Sequence, residues 1–202
     1  MLLHDRLKPY RIILASHSPR RRQLLKDAGI DYELAVGYDV EEVYPDSLPV
    51  EEVPVFLSEL KSAAYPHEIQ GNELLITADT VVCLHGKIIG KPVDRDDAVS
   101  ILGRLSGNRH TVVTGVTLRS AGRQKSFSVH SDVFFRRLTA EEIEYYVDAY
   151  KPFDKAGAYG IQEWIGYIGI ERIEGSFYNV MGLPVQQLYL KLGDFIRQMQ
   201  GK

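Results

Sequence analysis

The chain has 202 residues, enough for one large domain or two small lobes with a full hydrophobic core. Its 45% hydrophobic and 25% charged residues are ordinary for a globular protein, and a formal net charge of −3 argues against a nucleic-acid-binding surface or a membrane-seeking face. The single cysteine, Cys83, excludes an intramolecular disulfide, and no apolar run has signal-peptide or membrane-spanning length, so a cytoplasmic location is expected.

Met1 to Arg11 reads as a polar lead, an extra turn ahead of the first strand, Ile12–Ala15. The chain then turns on Ser16 and Ser18 into a helix from Pro19 to about Ala28, with Ser18 as N-cap, Pro19 at the first helical position and Gly29 as the stop. Arg20, Arg21 and Arg22 fill the first turn, where the helix dipole disfavours cations. Bare N–H groups and arginines together make an electropositive pocket that suits a phosphate. Three solvated surface arginines are the plainer reading, and clustering after a Ser-rich turn favours the phosphate.

The alternation of Ile30 to Val36 predicts a second strand. Glu33 within it either faces solvent or acts as a metal ligand or charge partner. Gly37 to Pro54 is acidic and proline-punctuated and reads as a loop or lid edge. Val53 to about Ala64 has helical spacing, and Lys61 on it reads as a surface lysine.

Leu74 to Leu84 is a nearly continuous apolar strand, as expected for burial on both faces, interrupted by Asp79 and Thr80. An unpaired carboxylate there costs several kcal/mol, so Asp79 needs a metal, a cation or several donors. Its functional reading is metal ligand or general base, against a structural cap of a neighbouring loop. Lys87–Gly90 forms a short return strand after the His85-Gly86 turn, and Lys91, extended before Pro92, can project into a cleft. Arg95–Leu105 is an amphipathic helix capped by Asp94.

His110–Leu118 and Lys125–Phe135 read as antiparallel strands about Ser120-Ala-Gly122, with His110 structural. Thr139-Ala-Glu-Glu142 is a capping box that opens a helix to about Tyr150. Phe153 to Gln162 combines small residues, which let a ligand approach the backbone, with Asp154, Lys155 and Gln162. A strand Gly169–Ile173, a glycine-punctuated loop Glu174–Pro184 and a helix Val185 to about Met199 complete the chain. Cations with two isolated carboxylates suit a polyphosphate ester held with a divalent metal, hence a metal-assisted hydrolase. A non-enzymatic nucleotide-binding module is the competing class, and a buried carboxylate would help it little.

Leu14-Ala-Ser-His-Ser-Pro-Arg-Arg, Ala78-Asp-Thr80, Gly90-Lys-Pro-Val-Asp94, Leu105-Ser-Gly-Asn-Arg-His110, Asp154-Lys-Ala-Gly-Ala-Tyr-Gly-Ile-Gln162 and Gly175-Ser-Phe-Tyr-Asn-Val-Met-Gly-Leu-Pro184 resemble, in order, the motifs of the Maf family of nucleoside triphosphate pyrophosphatases. The resemblance implies one α/β domain over 1–202, with a mixed twisted sheet flanked by helices and two lobes around a cleft, akin to the inosine triphosphate pyrophosphatases. It implies hydrolysis between the α and β phosphates, a divalent metal (Mg²⁺ or Mn²⁺), and a homodimer, with no nucleic-acid or membrane partner. By motif, Asp79 is the proton acceptor. Arg20, Thr80 and Gln162 set substrate choice. Ser16, Arg21, Lys61, Lys91, Asp154 and Lys155 hold the substrate, and metal binds at Glu33, Asp79 or both. The Asp154–Gln162 segment resembles the branch acting on dTTP and UTP, and the family's link to removing noncanonical nucleotides and to cell-division arrest comes with it. Alternatives are a regulatory nucleotide-binding protein of cell division with little turnover, or a pyrophosphatase preferring purines or 7-methyl-GTP. The family often has Gly where this chain has Thr77, which bears on substrate preference.

Overall fold

The computed structural model describes residues 2–35 and 37–201. Among them seven strands form one mixed sheet in the order β2-β1-β3-β5-β6-β7, with β4 paired to β3 off that path. In chain order the elements are α1 (Leu3–Leu7), β1 (Arg11–Ala15), α2 (Pro19–Asp27), β2 (Glu33–Leu34), α3 (Val53–Ala63), β3 (Glu73–Leu84), β4 (Lys87–Ile89) and α4 (Arg95–Leu105). There follow β5 (Arg109–Ser120), β6 (Arg123–Phe135), α5 (Ala140–Tyr150), a 3-10 turn at Ala156–Ala158, α6 (Trp164–Gly169), β7 (Ile170–Glu174), α7 (Phe177–Met181) and α8 (Val185–Met199). The expected mixed α/β class is what the chain adopts.

The chain divides into two compact units. The first comprises Met1–Asp79, Thr114–Val129 and Gly182–Lys202, and the second Thr80–Val113 and His130–Met181.

In the first unit β1 lies parallel to β2 and to β3, with Ala15 beside Thr77. Ile13, Ala15, Leu75 and Ile69 form a small buried cluster on one face. The helix α3 lies tight on the sheet, because a Cβ on Gly115 of β5 would stand 2.2 Å from the Pro54 carbonyl carbon. Thr77 reinforces that seat by donating its hydroxyl to the Ser58 carbonyl at 2.6 Å. The Ser58 hydroxyl in turn meets Thr117 at 2.7 Å. These contacts satisfy polar groups that the buried face would otherwise leave orphaned. The last helix, α8, buries Leu188, Leu192, Phe195 and Ile196 at helical spacing, each contributing about 1.5–3 kcal/mol by leaving water.

The second unit is built on a larger core. Ile101, Leu102 and Leu105 of α4, Ile143, Tyr146 and Val147 of α5, Phe135 and Ile165 all lie in it. Both helices start as the sequence predicts. Asp94 accepts from the Asp97 N–H, and Thr139 and Glu142 form the reciprocal capping box. Buried His110 is structural, with its Nε2 2.7 Å from the Tyr159 hydroxyl and its ring packed against Phe135.

The extra turn expected in the N-terminal lead is α1, where Leu3 and Leu7 find a buried seat and the Arg6 guanidinium donates to the Gly193 carbonyl. Three elements depart from the sequence reading. The strand expected over Ile30–Val36 shortens to Glu33–Leu34, an exposed edge pairing with β1 alone. Val36 lies outside the described residues. Two short helices were not expected: α6 fills Trp164–Gly169, so that the strand expected from Gly169 begins at Ile170, and α7 stands within the expected loop Glu174–Pro184. In α6 the contact is close: a Cβ on Gly166 would stand 1.9 Å from the Ile161 carbonyl oxygen, so Gly supplies the space that its low helix propensity obscures.

Candidate functional site

In the first unit, Asp79 of β3, Lys61 of α3 and Glu42 of the loop between β2 and α3 come together, with Arg21 of α2 tied to Ser16 and to the Ala78 carbonyl beside them. Asp79, 7% exposed at the end of the unit's part of β3, accepts a 2.6 Å hydrogen bond at Oδ1 from Lys61 Nζ on α3. The same ammonium lies 2.7 Å from Glu42 Oε1. Lys61 is therefore a cation clamped between two carboxylates, where its helical pattern alone reads as a surface lysine and the family resemblance puts it at the substrate. Helix α3 carries it there because the Thr77 and Gly115 contacts seat the helix on the sheet.

The three arginines have different tasks. Arg21 turns inward, donating Nε to the Gly182 carbonyl at 2.8 Å and Nη1 to the Ala78 carbonyl at 2.7 Å. Its Nη1 also reaches Ser16 Oγ at 3.4 Å. Burial pulls its guanidinium below the usual range, while the charges of Asp79 and Glu42 oppose that fall. Arg22 donates back to the His17 carbonyl at 3.1 Å. Half-buried Arg20 remains at the helix start, close enough for its charge to act on Arg21. Ser18 caps the helix by accepting from the Arg21 N–H, and Ser16 accepts from the Ser18 N–H. The turn is thus fixed by its own hydrogen bonds, with Arg21 as the strut that ties it to the Gly182 and Ala78 carbonyls.

Glu33 is elsewhere. It pairs with Arg11 at 2.6 Å, both side chains more than half exposed, and Arg11 also holds Glu73. Glu33 registers with Ile13, which registers with Leu75. That puts it four residues, about 13 Å along the strands, from the level of Asp79. One ion cannot join them. The acidic side chain that does reach Asp79's neighbourhood is Glu42, which lay unremarked in the acidic loop because loops carry no periodicity that assigns a direction to a side chain.

The second unit holds Thr80, Lys91, Asp154, Lys155 and Gln162. Thr80, half-buried, follows Asp79 directly on β3. Lys91 is exposed, and the residue before it, Gly90, accepts from the Gly157 N–H at 3.0 Å. That contact docks the 3-10 turn, where Gly157 takes φ +73° hard against Val82. Lys155 is 8% exposed and pairs with Asp154 at 2.8 Å. Gln162 Oε1 is buried with no hydrogen-bond partner in the protein. An acceptor left so costs about 1–3 kcal/mol, which a ligand's donor would relieve.

Among the described residues no three His, Cys, Asp or Glu side chains cluster as a self-sufficient metal site. Asp79 and Glu42 nonetheless share one cation's reach through Lys61, and both offer hard oxygen. Mg²⁺ typically takes one or two carboxylates and completes its shell with water and substrate phosphate, so the residues fit such an ion. No helix of the described residues is long and apolar enough to cross a membrane.

A clamped carboxylate beside an arginine-rich helix start is an arrangement that suits a phosphorylated ligand. The sequence matches the family described as Maf-like protein over residues 11–195, and the chain belongs to that family. A relative from Bacteroides thetaiotaomicron, named dTTP/UTP pyrophosphatase, is 55% identical over 92% of this chain and 96% of its own. Proteins of the same name from Phocaeicola vulgatus and Porphyromonas gingivalis are 53% and 52% identical, covering 93% and 95% of this chain and 97% of each relative. A solved HAM1 protein from Coxiella burnetii superposes at TM-score 0.48 and 12% identity over 92% of this chain.

Proposed function

We propose that this protein is a nucleoside triphosphate pyrophosphatase acting on dTTP and UTP, and that Asp79 activates the attacking water. The observation that carries this reading is the clamp of Asp79, Lys61 and Glu42. A carboxylate almost removed from solvent is held by an ammonium that a second carboxylate also holds, which gives Asp79 a fixed direction for taking a proton. A bound Mg²⁺ or Mn²⁺, held by Asp79 and Glu42, would neutralise phosphate charge.

The chain's own residues perform the rest. The Asp79 carboxylate takes a proton from water as the water oxygen bonds to phosphorus at the α–β anhydride. The bridging P–O bond breaks, and pyrophosphate leaves a nucleoside monophosphate. Arg20, Lys61 and the N–H groups at the start of α2 draw charge from the phosphates, with Ser16 and Arg21 holding that turn. Lys91, Asp154 and Lys155 supply further polar contacts to the substrate, and Thr80 narrows its choice. Gln162 Oε1 suits the N3–H of uracil or thymine, a donor that cytosine lacks. A site built to hydrogen-bond a group rejects the analogue without it strongly.

The test is a panel of nucleoside triphosphates and 7-methyl-GTP with Mg²⁺ or Mn²⁺, with pyrophosphate and monophosphate measured separately. Chelator-sensitive release of pyrophosphate from dTTP and UTP, largely lost in Asp79→Asn, is expected. Near-full activity of Asp79→Asn would refute the base. Nucleotide binding without turnover on any substrate would instead identify a regulatory binding protein.

A further inference from the structure

Within the second unit a chain of contacts ends on Lys155. The Gly160 N–H donates to the Tyr146 hydroxyl at 3.0 Å. That hydroxyl donates to Glu163 Oε2, and Glu163 Oε1 stands 3.2 Å from Lys155 Nζ. Tyr146 is fully buried in the core, and burial followed by the Glu163 contact pushes its phenol far up, so it stays a donor. Gly160 is shaped to the same carboxylate: a Cβ there would stand 2.7 Å from Glu163 Cδ. Lys155 also touches Asp154, but the Asp154 side chain is 58% exposed and that of Glu163 only 21%. The exposed partner is screened by water, whereas Glu163 is tied at one oxygen by the Tyr146 hydroxyl and faces Lys155 with the other. A lysine has four rotatable bonds, and a fixed carboxylate is what selects one of its rotamers before a ligand arrives.

We propose that Glu163 is a positioning residue, which sets the Lys155 ammonium for substrate phosphate through its own anchorage on Tyr146 and Gly160. The proposal rests on the assignment of Lys155 to the substrate. It extends the functional segment past Gln162, where the family-like motif stops, and it gives the buried tyrosine of α5 a part in it.

The experiment is a double-mutant cycle with Glu163→Gln, Lys155→Ala and both together, read as kcat/KM for dTTP and as binding of inorganic pyrophosphate. Glu163→Gln keeps the size and an acceptor for Tyr146 but drops the charge. It is expected to lower both readouts about tenfold alone and less than about twofold when Lys155 is already alanine, since neighbours in one network do not add. Tyr146→Phe, which unties Glu163 without touching Lys155, should lose about threefold and serves if Glu163→Gln folds poorly. An equal loss from Glu163→Gln in both backgrounds, or no loss at all, overturns the positioning role. Full activity and pyrophosphate binding in Lys155→Ala instead overturns the assignment of Lys155 on which the proposal stands.

Discussion

Replacing Lys61 by methionine keeps the stem and removes the ammonium that two carboxylates share. The Asp79 side chain is 11% exposed, Lys61 17% and Glu42 47%. Removing one partner of a buried ion pair costs about 3–5 kcal/mol, because a charge is left without compensation in a poor solvent. Water screens the Glu42 half of the clamp, so the expected loss is about 2–3 kcal/mol. With a urea slope of about 2–3 kcal/mol per molar, the unfolding midpoint should fall by about 1 M. Added Mg²⁺ or Mn²⁺ should raise the variant's midpoint more than the wild type's, since a divalent ion can stand between Asp79 and Glu42 where the ammonium was. Equal midpoints for the two proteins would refute the reasoning. They would mean that both carboxylates are solvated well enough to need no cation, and the argument that Asp79 is held for chemistry would fail with them.

Three further outcomes follow from the same geometry. Gly115→Ala forces a Cβ to 2.2 Å from the Pro54 carbonyl carbon, so α3 must lift; overpacking of about 1–3 kcal/mol and lower turnover are expected in calorimetry and pyrophosphate release. An unaltered melting temperature would show that the helix is not seated there. Thr77→Val removes the 2.6 Å bond to the Ser58 carbonyl at nearly constant volume and should cost about 1 kcal/mol by urea unfolding, whereas Thr77→Ser should restore it. His110 is pushed by burial down to about 4, against a partial lift from Asp132. Its folded value lies below its unfolded one near 6.5, so the unfolded chain gains the proton first. The contribution of His110 is full above pH 6.5 and is lost as the pH drops toward 4, by roughly 3 kcal/mol, and His110→Asn should remove that part of the slope.

Much of this protein was legible in the sequence, for reasons that are local. Asp94 and Thr139 cap their helices through side chains that reach only three residues ahead, so a short stretch of sequence contains both partners. The nearly continuous apolar run Leu74–Leu84 of β3 declares burial on both faces, and Asp79 stands out because a carboxylate there demands a partner. Which partner it has could not be read. Lys61 looked like any lysine on a helix, and its ammonium meets Asp79 only because Thr77 and Gly115 bring α3 down onto strands distant in sequence. Glu33 sits in a strand-like alternation and pairs outward with Arg11, while Glu42, in a loop without pattern, turns inward. The three arginines were one motif in the sequence and became a strut, a backbone tie and a half-buried cation once the carbonyls of Ala78, Gly182 and His17 were in place. Residue type and periodicity determine the fold class, the caps and the demand of a buried charge. Direction and partnership of long polar side chains are set by tertiary packing, because the acceptors and counter-charges that choose their rotamers come from elements far away in the chain.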